Sequence, residues 1–237
     1  MGATKRSPRL RLISSPSLDA LAGGEAPSGI VQAGPVEAVA ADEATPPLRG
    51  DDKEAEAKAD EELVGRARRL ELRAFETLYR RHAEFAFNLA VRIQGNANDV
   101  EDVVHDAFLK AQERLDDLRD SAAFRPWLGS IVVRLVRTKL RRRKLLGALG
   151  LTAPEPVEID SIAAVDADPE ARALLAQVYA LLQTMAADER IAWTLRYVER
   201  HRLETVAVMM DCSLATAKRR IARAQRFLGD HFVAPYS

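Results

Sequence analysis

From residue 70 onward, apolar side chains return at steps of three and four. Leu70, Phe75, Leu78, Tyr79, Phe85, Leu89 and Ile93 follow this spacing, which places them on one face of a helix or helix pair. Gly95-Asn96 breaks the pattern. Asn98 or Asp99 is then expected to cap a second helix, whose first turn carries Asp99, Glu101 and Asp102, the sign favoured at the positive end of a helix dipole. Its apolar stripe is Val103, Val104, Ala107, Phe108, Ala111 and Leu115. Asp120-Ser121 marks the next turn and N-cap. A third helix starts near Ala122, tolerates Pro126 in its first turn, and runs on through Trp127, Leu128, Ile131, Leu135 and Leu140.

The periodicity then fails and returns. Residues 145–168 contain Gly147, Gly150, Pro154 and Pro156 together with five acids, and read as a flexible linker longer than an ordinary internal loop. Residues 169–232 read as four helices. Pro169 suits the first helical position, with Leu174, Leu175, Val178 and Leu182 as the stripe. Three further helices are expected over 188–198, 203–210 and 213–228. Residues 1–60, rich in Ala, Pro, Gly and Ser and without an aromatic residue, cannot bury enough apolar surface to offset their ordering entropy and are expected to be disordered. Such an extension is either a regulatory or partner-binding tail or a tolerated addition. The expected organisation is therefore a disordered extension (1–60), a helical block (61–144), a linker (145–168) and a second helical block (169–232).

Composition sharpens this picture. Aromatic residues make up only 5% of the 237 positions, and β-branched alternation over strand lengths is absent, so the fold class is all-α. Basic and acidic residues balance at 35 each, which excludes a uniformly basic coat; the position of each charge matters instead. The lone Cys212 excludes an internal disulfide. No apolar run reaches the roughly 18 residues of a membrane span, and no signal-peptide pattern opens the chain, so a cytoplasmic location is expected.

The charges are segregated by element. In the second block, Leu203–Met210 meets the turn Asp211-Cys-Ser213, and a longer helix follows. Two helices around so tight a turn form a helix-turn-helix, with Ala207 as the small residue at their crossing. On the second of them, Leu214, Ala217, Ile221, Ala224 and Leu228 form the expected buried stripe, leaving Ser213, Thr216, Lys218, Arg219, Arg220, Arg223 and Arg226 for solvent or DNA. The third helix of the first block is equally basic: Arg125, Arg134, Arg137, Lys139, Arg141, Arg142, Arg143 and Lys144 occur with no acid between Ser121 and Lys144. Phe124 and Trp127 at its start suit a surface on which unstacked bases rest, or serve as core. The second helix has the opposite sign. Asp99, Glu101, Asp102 and Asp106 would repel nucleic acid and point to a protein partner. Glu101/His105 and Asp102/Asp106 are paired one turn apart, but no second ligand-rich helix accompanies them, so no metal site is expected. No phosphate-cradling glycine loop or nucleophile motif occurs, and neither catalytic residue nor cofactor is expected.

Three stretches in register then resemble a known family. Phe75-Glu-Thr-Leu-Tyr79, Asp99-Val-Glu-Asp-Val-Val-His-Asp-Ala-Phe-Leu109 and Phe124-Arg-Pro-Trp-Leu-Gly-Ser-Ile131 resemble region 2 of bacterial sigma factors. Leu181 to Leu228, including Thr216-Ala-Lys-Arg-Arg-Ile-Ala-Arg-Ala224, resembles region 4. Order, spacing and linker are similar to the extracytoplasmic-function (ECF) subfamily of the sigma-70 family. The resemblance implies that Asp99, Glu101, Asp102, His105 and Asp106 dock on the coiled coil of the polymerase's largest-subunit clamp. It implies that Phe124, Arg125, Trp127, Arg134, Arg137 and Arg141 melt and hold the −10 element. Ser213, Thr216, Lys218, Arg219, Arg220 and Arg223 then read the −35 element, and the linker threads toward the polymerase active site. The implied partners are core RNA polymerase, promoter DNA and an anti-sigma factor, and the implied activity is promoter-directed transcription initiation.

The chain departs from the family pattern at some positions. His105 replaces a usual glutamine, Arg134 a common asparagine and Thr138 a common aspartate, while Asp211 and Ala215 replace frequent glycines. An aspartate can adopt the left-handed geometry such a turn needs. Two other readings of the residues stay open at this point: a conventional dimeric helix-turn-helix regulator with a palindromic site, and a helical protein-interaction module without promoter activity.

Overall fold

The computed structural model describes residues 50–151, 156–162 and 168–232, and among them there are eight α-helices and no strand. The first block comprises α1 (Gly50–Arg68), α2 (Leu72–Gln94), α3 (Val100–Glu113) and α4 (Phe124–Ala148). The second comprises α5 (Pro169–Thr184), α6 (Ala187–Trp193, continued by a π-helical turn over Thr194–Val198), α7 (Leu203–Met209) and α8 (Leu214–His231).

The first block closes around apolar stripes. Leu78, Ala86, Leu89 and Ile93 of α2 meet Val103, Val104, Ala107, Phe108 and Ala111 of α3 and Phe124, Leu128, Ile131 and Val132 of α4. These positions recur at three and four residues, so each helix offers one continuous buried face. Gly95 ends α2 in the left-handed conformation (φ 73°), its N–H donating to the Val91 carbonyl at 2.7 Å, the usual way to satisfy a helix C-terminus.

Helix α1 corrects the expectation for the N-terminal extension. Residues 1–49 lie outside the described residues, but 50–60, assigned to disorder by composition, are helical. Tertiary partners account for this. Glu56 pairs with Arg125 at 3.1 Å. Asp60 is buried, accepts from Arg81 at 2.8 Å, and lies 2.8 Å from His82. An acidic segment too polar to fold alone is ordered by cations on α2 and α4.

In the second block, Asp168 caps α5, its carboxylate accepting from the N–H groups of Glu170 (2.7 Å) and Ala171 (2.9 Å), and Pro169 opens the helix as its position predicted. Ser213 caps α8 by accepting from the Thr216 N–H. Leu175, Val178, Tyr179, Leu182, Met185, Trp193, Ala224 and Leu228 form a small core of α5, α6 and α8.

The two helical domains also share a buried contact. Ile191, Ala192, Leu195, Val206, Met209, Met210, Ala217 and Ile221 of the second block are buried in one cluster with the core of the first. The linker also differs from expectation. Helix α4 continues four residues past Lys144 to Ala148. Residues 156–162 are anchored: Glu158 donates its N–H to the Gly95 carbonyl at 2.9 Å and accepts from the Ala97 N–H at 3.0 Å. Tyr179 donates its hydroxyl to the Arg92 carbonyl at 2.9 Å, and Arg92 pairs with Glu199 at 2.9 Å. Burial pushes the Tyr179 hydroxyl well above the ordinary tyrosine range.

Gly95 thus has two jobs. A Cβ there would sit 3.0 Å from Tyr179 Cδ1 and 3.1 Å from Arg190 Nη2, on a backbone that disfavours any L side chain. Gly95→Ala is expected to cost about 1–2 kcal/mol from backbone strain alone, read as a lower urea midpoint of the full chain. An unchanged midpoint would mean that the turn relaxes freely.

Candidate nucleic-acid and polymerase interfaces

Helices α7 and α8 cross around a turn in which Asp211 is left-handed (φ 50°) and Cys212 donates its N–H to the Ala207 carbonyl at 3.0 Å. The expected helix-turn-helix is therefore present, with Asp211 in the geometry a glycine usually supplies. Ala217, Ile221, Ala224 and Leu228 are buried as expected. Leu214, placed in the same stripe by periodicity, is 37% exposed instead, because the first turn of α8 extends past the core. Lys218, Arg219, Arg223 and Arg226 are exposed. Ser213 and Thr216 are occupied with each other, their hydroxyls 2.9 Å apart. Arg220 is half-buried and donates to Asp188 of α6 at 2.6 Å, while Arg223 lies 3.6 Å from Glu189.

The residues assigned to the −10 element divide into four groups. Phe124 is fully buried between His82 (ring centroids 5.3 Å) and Trp127 (6.0 Å), so it is core in this conformer and presents no face to a base. Trp127 is half-buried, and Arg125 stacks over Phe85 with its guanidinium 4.5 Å from the ring centre. Arg134 and Arg141 project from α4 into solvent, Arg134 lying 3.9 Å from Asp211 and Arg141 2.8 Å from Asp188. Arg137 is covered by α7: it donates to the Met210 carbonyl at 2.6 Å and sits 3.3 Å from Asp188. Burial lowers its proton affinity, and Asp188 opposes that effect.

On α3, Glu101, Asp102, His105 and Asp106 are all exposed. Glu101, Asp102 and His105 line an open groove of about 530 Å³ together with Tyr79, Glu84 and Phe87 of α2. Sequence reading missed Phe87 and Glu84 as part of this surface and placed Tyr79 in the core stripe. The signal was available in hindsight: Tyr79 sits one position beyond the buried Leu78, on the flank of the stripe. Asp99 also behaves differently from expectation. It holds the N-cap position with φ 52° but its side chain caps nothing. Its carboxylate instead lies 3.1 Å from both Lys139 and Arg143 of α4, and these cations, Lys139 foremost, hold it below the ordinary aspartate range. No group of three or more metal-ligating side chains occurs among the described residues.

This geometry places an acidic, grooved surface on one helix pair and a basic recognition helix on another. Family models agree with that division: Sigma-70 region 2 matches residues 78–145, and Sigma-70, region 4 matches residues 175–228. The chain belongs to the sigma-70 family. Among its curated relatives, the RNA polymerase sigma-H factor of Pseudomonas aeruginosa is 31% identical over 173 residues, spanning 70% of this chain and 90% of the relative. The ECF RNA polymerase sigma-E factor of Escherichia coli K12 is 31% identical over 183 residues, spanning 74% and 95%. Among solved structures, the sigma factor RpoE bound to the anti-sigma factor NepR from Bartonella quintana is 21% identical, covering 66% of this chain and 94% of that one, with a TM-score of 0.49. This ECF sigma factor binds core RNA polymerase and promoter DNA and directs transcription initiation; members of its family are not enzymes. No described helix is long and apolar enough to cross a membrane.

The Asp99 bridges give a pH test. A carboxyl depressed in the folded state contributes stability above its ordinary range, and that contribution is lost as pH falls through the depressed value. Asp99→Asn is therefore expected to lower stability at neutral pH by less than about 1 kcal/mol, since the pair is exposed. The difference from wild type should close in acid. Urea midpoints at pH 7 and at progressively lower pH measure this; a gap independent of pH would reject the ionic origin.

Proposed function

We propose that this sigma factor divides its work among three surfaces. The exposed acids Glu101, Asp102 and Asp106 with His105 and the Tyr79–Phe87 groove dock on the clamp coiled coil of core polymerase's largest subunit. Asp99, tied to α4, acts there mainly by fixing α3 against the basic helix. Lys218, Arg219, Arg220 and Arg223, with the α8 N-terminus at Ser213 and Thr216, contact the −35 duplex. Arg134, Arg137 and Arg141, with Arg125 and Trp127, hold the −10 strand, while Phe124 supports them from the core. The first block and α5–α8 correspond to the two functional regions, joined by the linker. Catalysis belongs to the polymerase and this chain supplies no catalytic residue. The chain works in the cytoplasm and has an anti-sigma factor as a further partner.

Segregation of charge carries this reading. The solvent face of α3 is acidic beside a groove walled in part by Tyr79 and Phe87, whereas that of α8 carries Lys218, Arg219 and Arg223. A nucleic acid would be repelled by the first and attracted by the second.

Co-elution with core polymerase tests the docking surface. Wild type is expected to co-elute, Asp102→Arg to co-elute weakly, and Lys218→Ala to match wild type; retention of Asp102→Arg at wild-type level would reject α3 as the contact. Promoter binding by the assembled holoenzyme tests α8. Loss of a base contact at Arg219 or Lys218 should cost about 1–3 kcal/mol and relax sequence preference, whereas loss of a phosphate contact should weaken all promoters alike. No loss for any α8 variant would remove that helix from the interface.

A further inference from the structure

Glu56, Asp60, Val64 and Arg68 stand one turn apart along α1. Positions at this spacing share a helix face, and each of them meets the start of α4 or a group that supports it. Glu56 pairs with Arg125 at 3.1 Å. Asp60 lies 2.8 Å from His82, whose ring packs against Phe124. Val64 is fully buried in the same core. Arg68 ends the stripe, and its guanidinium reaches residues 114–123, the stretch that joins α3 to α4.

Arg68 grips that stretch at three points. Its Nη2 donates to the carbonyls of Leu115 (3.1 Å) and Leu118, its Nε donates to Leu115 at 3.3 Å, and its Nη1 donates to the Ser121 hydroxyl at 3.2 Å. The stretch has little regular structure of its own: the short 3-10 turns Leu115–Asp117 and Ser121–Ala123 flank Leu118–Asp120. The side chains of Leu115 and Leu118 anchor it in the core, and Arg68 holds the backbone between them. A guanidinium presents its donors as a rigid planar fork and can serve these acceptors together. A lysine ammonium offers its donors from a single nitrogen.

We propose that Arg68 is a positioning residue for capture of the promoter strand: from α1 it sets the path of residues 114–123, and so the presentation of Arg125 and Trp127 at the start of α4, without touching DNA itself. This rests on the −10 role given to the start of α4 above. The physical gain is preorganisation. A loop ordered before the strand arrives spares the complex the entropy of ordering it on binding. The effect is also selective, because the acidic face of α3 and the basic face of α8 take no hydrogen bond from Arg68.

Holoenzyme assembled from the full-length chain and core polymerase tests this. The probe is a fork-junction DNA, duplex over the −35 element and single-stranded over the −10 element. It is cut from a promoter that the wild-type holoenzyme selects from random duplexes. Arg68→Gln is expected to weaken fork binding about tenfold, the scale of one charge-assisted hydrogen bond. Arg68→Lys should do the same, since charge alone cannot hold the loop. Ser121→Ala cuts the contact from the loop side and leaves α1 intact, and should lose about threefold. Added to Arg68→Gln it should change little, as one shared interaction requires. Co-elution with core polymerase, binding to the −35 duplex portion and circular dichroism should stay at the wild-type level for each variant. Equal losses on fork, duplex and core would reduce Arg68 to a support of the fold and overturn the proposal. Wild-type fork binding by Arg68→Lys would overturn it as well. Trp127→Ala separates the inference from the reading beneath it. If Trp127→Ala weakens fork binding and Arg68→Gln does not, Arg68 alone loses its role; if neither does, the −10 assignment of α4 falls too.

Discussion

Helix α4 has an apolar surface too wide for one neighbour, and the fold is arranged around that fact. Phe124, Leu128, Ile131 and Val132 face α1–α3, while Gly129, Val133 and Val136 continue the buried surface round toward α6 and α7. A helix that only borders a core needs a stripe of about 100°. This one needs burial on two sides, and the first block covers only one. The helix-turn-helix covers the other, which is why a single apolar cluster runs through both blocks. The same helix carries an unbroken series of cations, so each partner that buries its apolar side must also answer its charge. Glu56 and Asp99 do so within the first block and Asp188 does so from the second.

Much of this was legible from periodicity and capping residues. Amphipathic stripes and turn signals located every described helix except α1, Asp120 acted as a cap where the residues put it, and Asp211 took the left-handed turn. These signals are local, and local signals survive in a linear reading. The errors share a different cause. Residues 50–60 looked too acidic to fold, because their stabilising partners Arg81, His82 and Arg125 are 21 to 69 positions away. Asp99 looked like a cap, and its carboxylate instead crosses to Lys139 and Arg143. Each miss is a long-range pairing that outweighed a sound local preference.

The candidate surfaces were legible to the same degree. Which helix is acidic and which is basic can be read directly from the residues, and the exposed positions of α3 and α8 agree. What escaped was the groove beside α3, since part of its wall comes from α2, and the convergence of Arg137, Arg141 and Arg220 on Asp188, which periodicity marks as nothing more than the first turn of a helix. Single residues whose importance lies in convergence from several elements carry no pattern of their own.

The chain's overall neutrality acquires a physical sense from these pairings. Many of its acids are internal counterions to the arginines that DNA would otherwise neutralise. Such buried bridges are weak contributors to stability, because desolvation consumes most of the Coulomb attraction. Arg190 illustrates the cost: burial pulls it down to about 10 with little opposing charge. The bridges fix the geometry of the contact between the blocks, and the apolar cluster that runs through both supplies most of its stability.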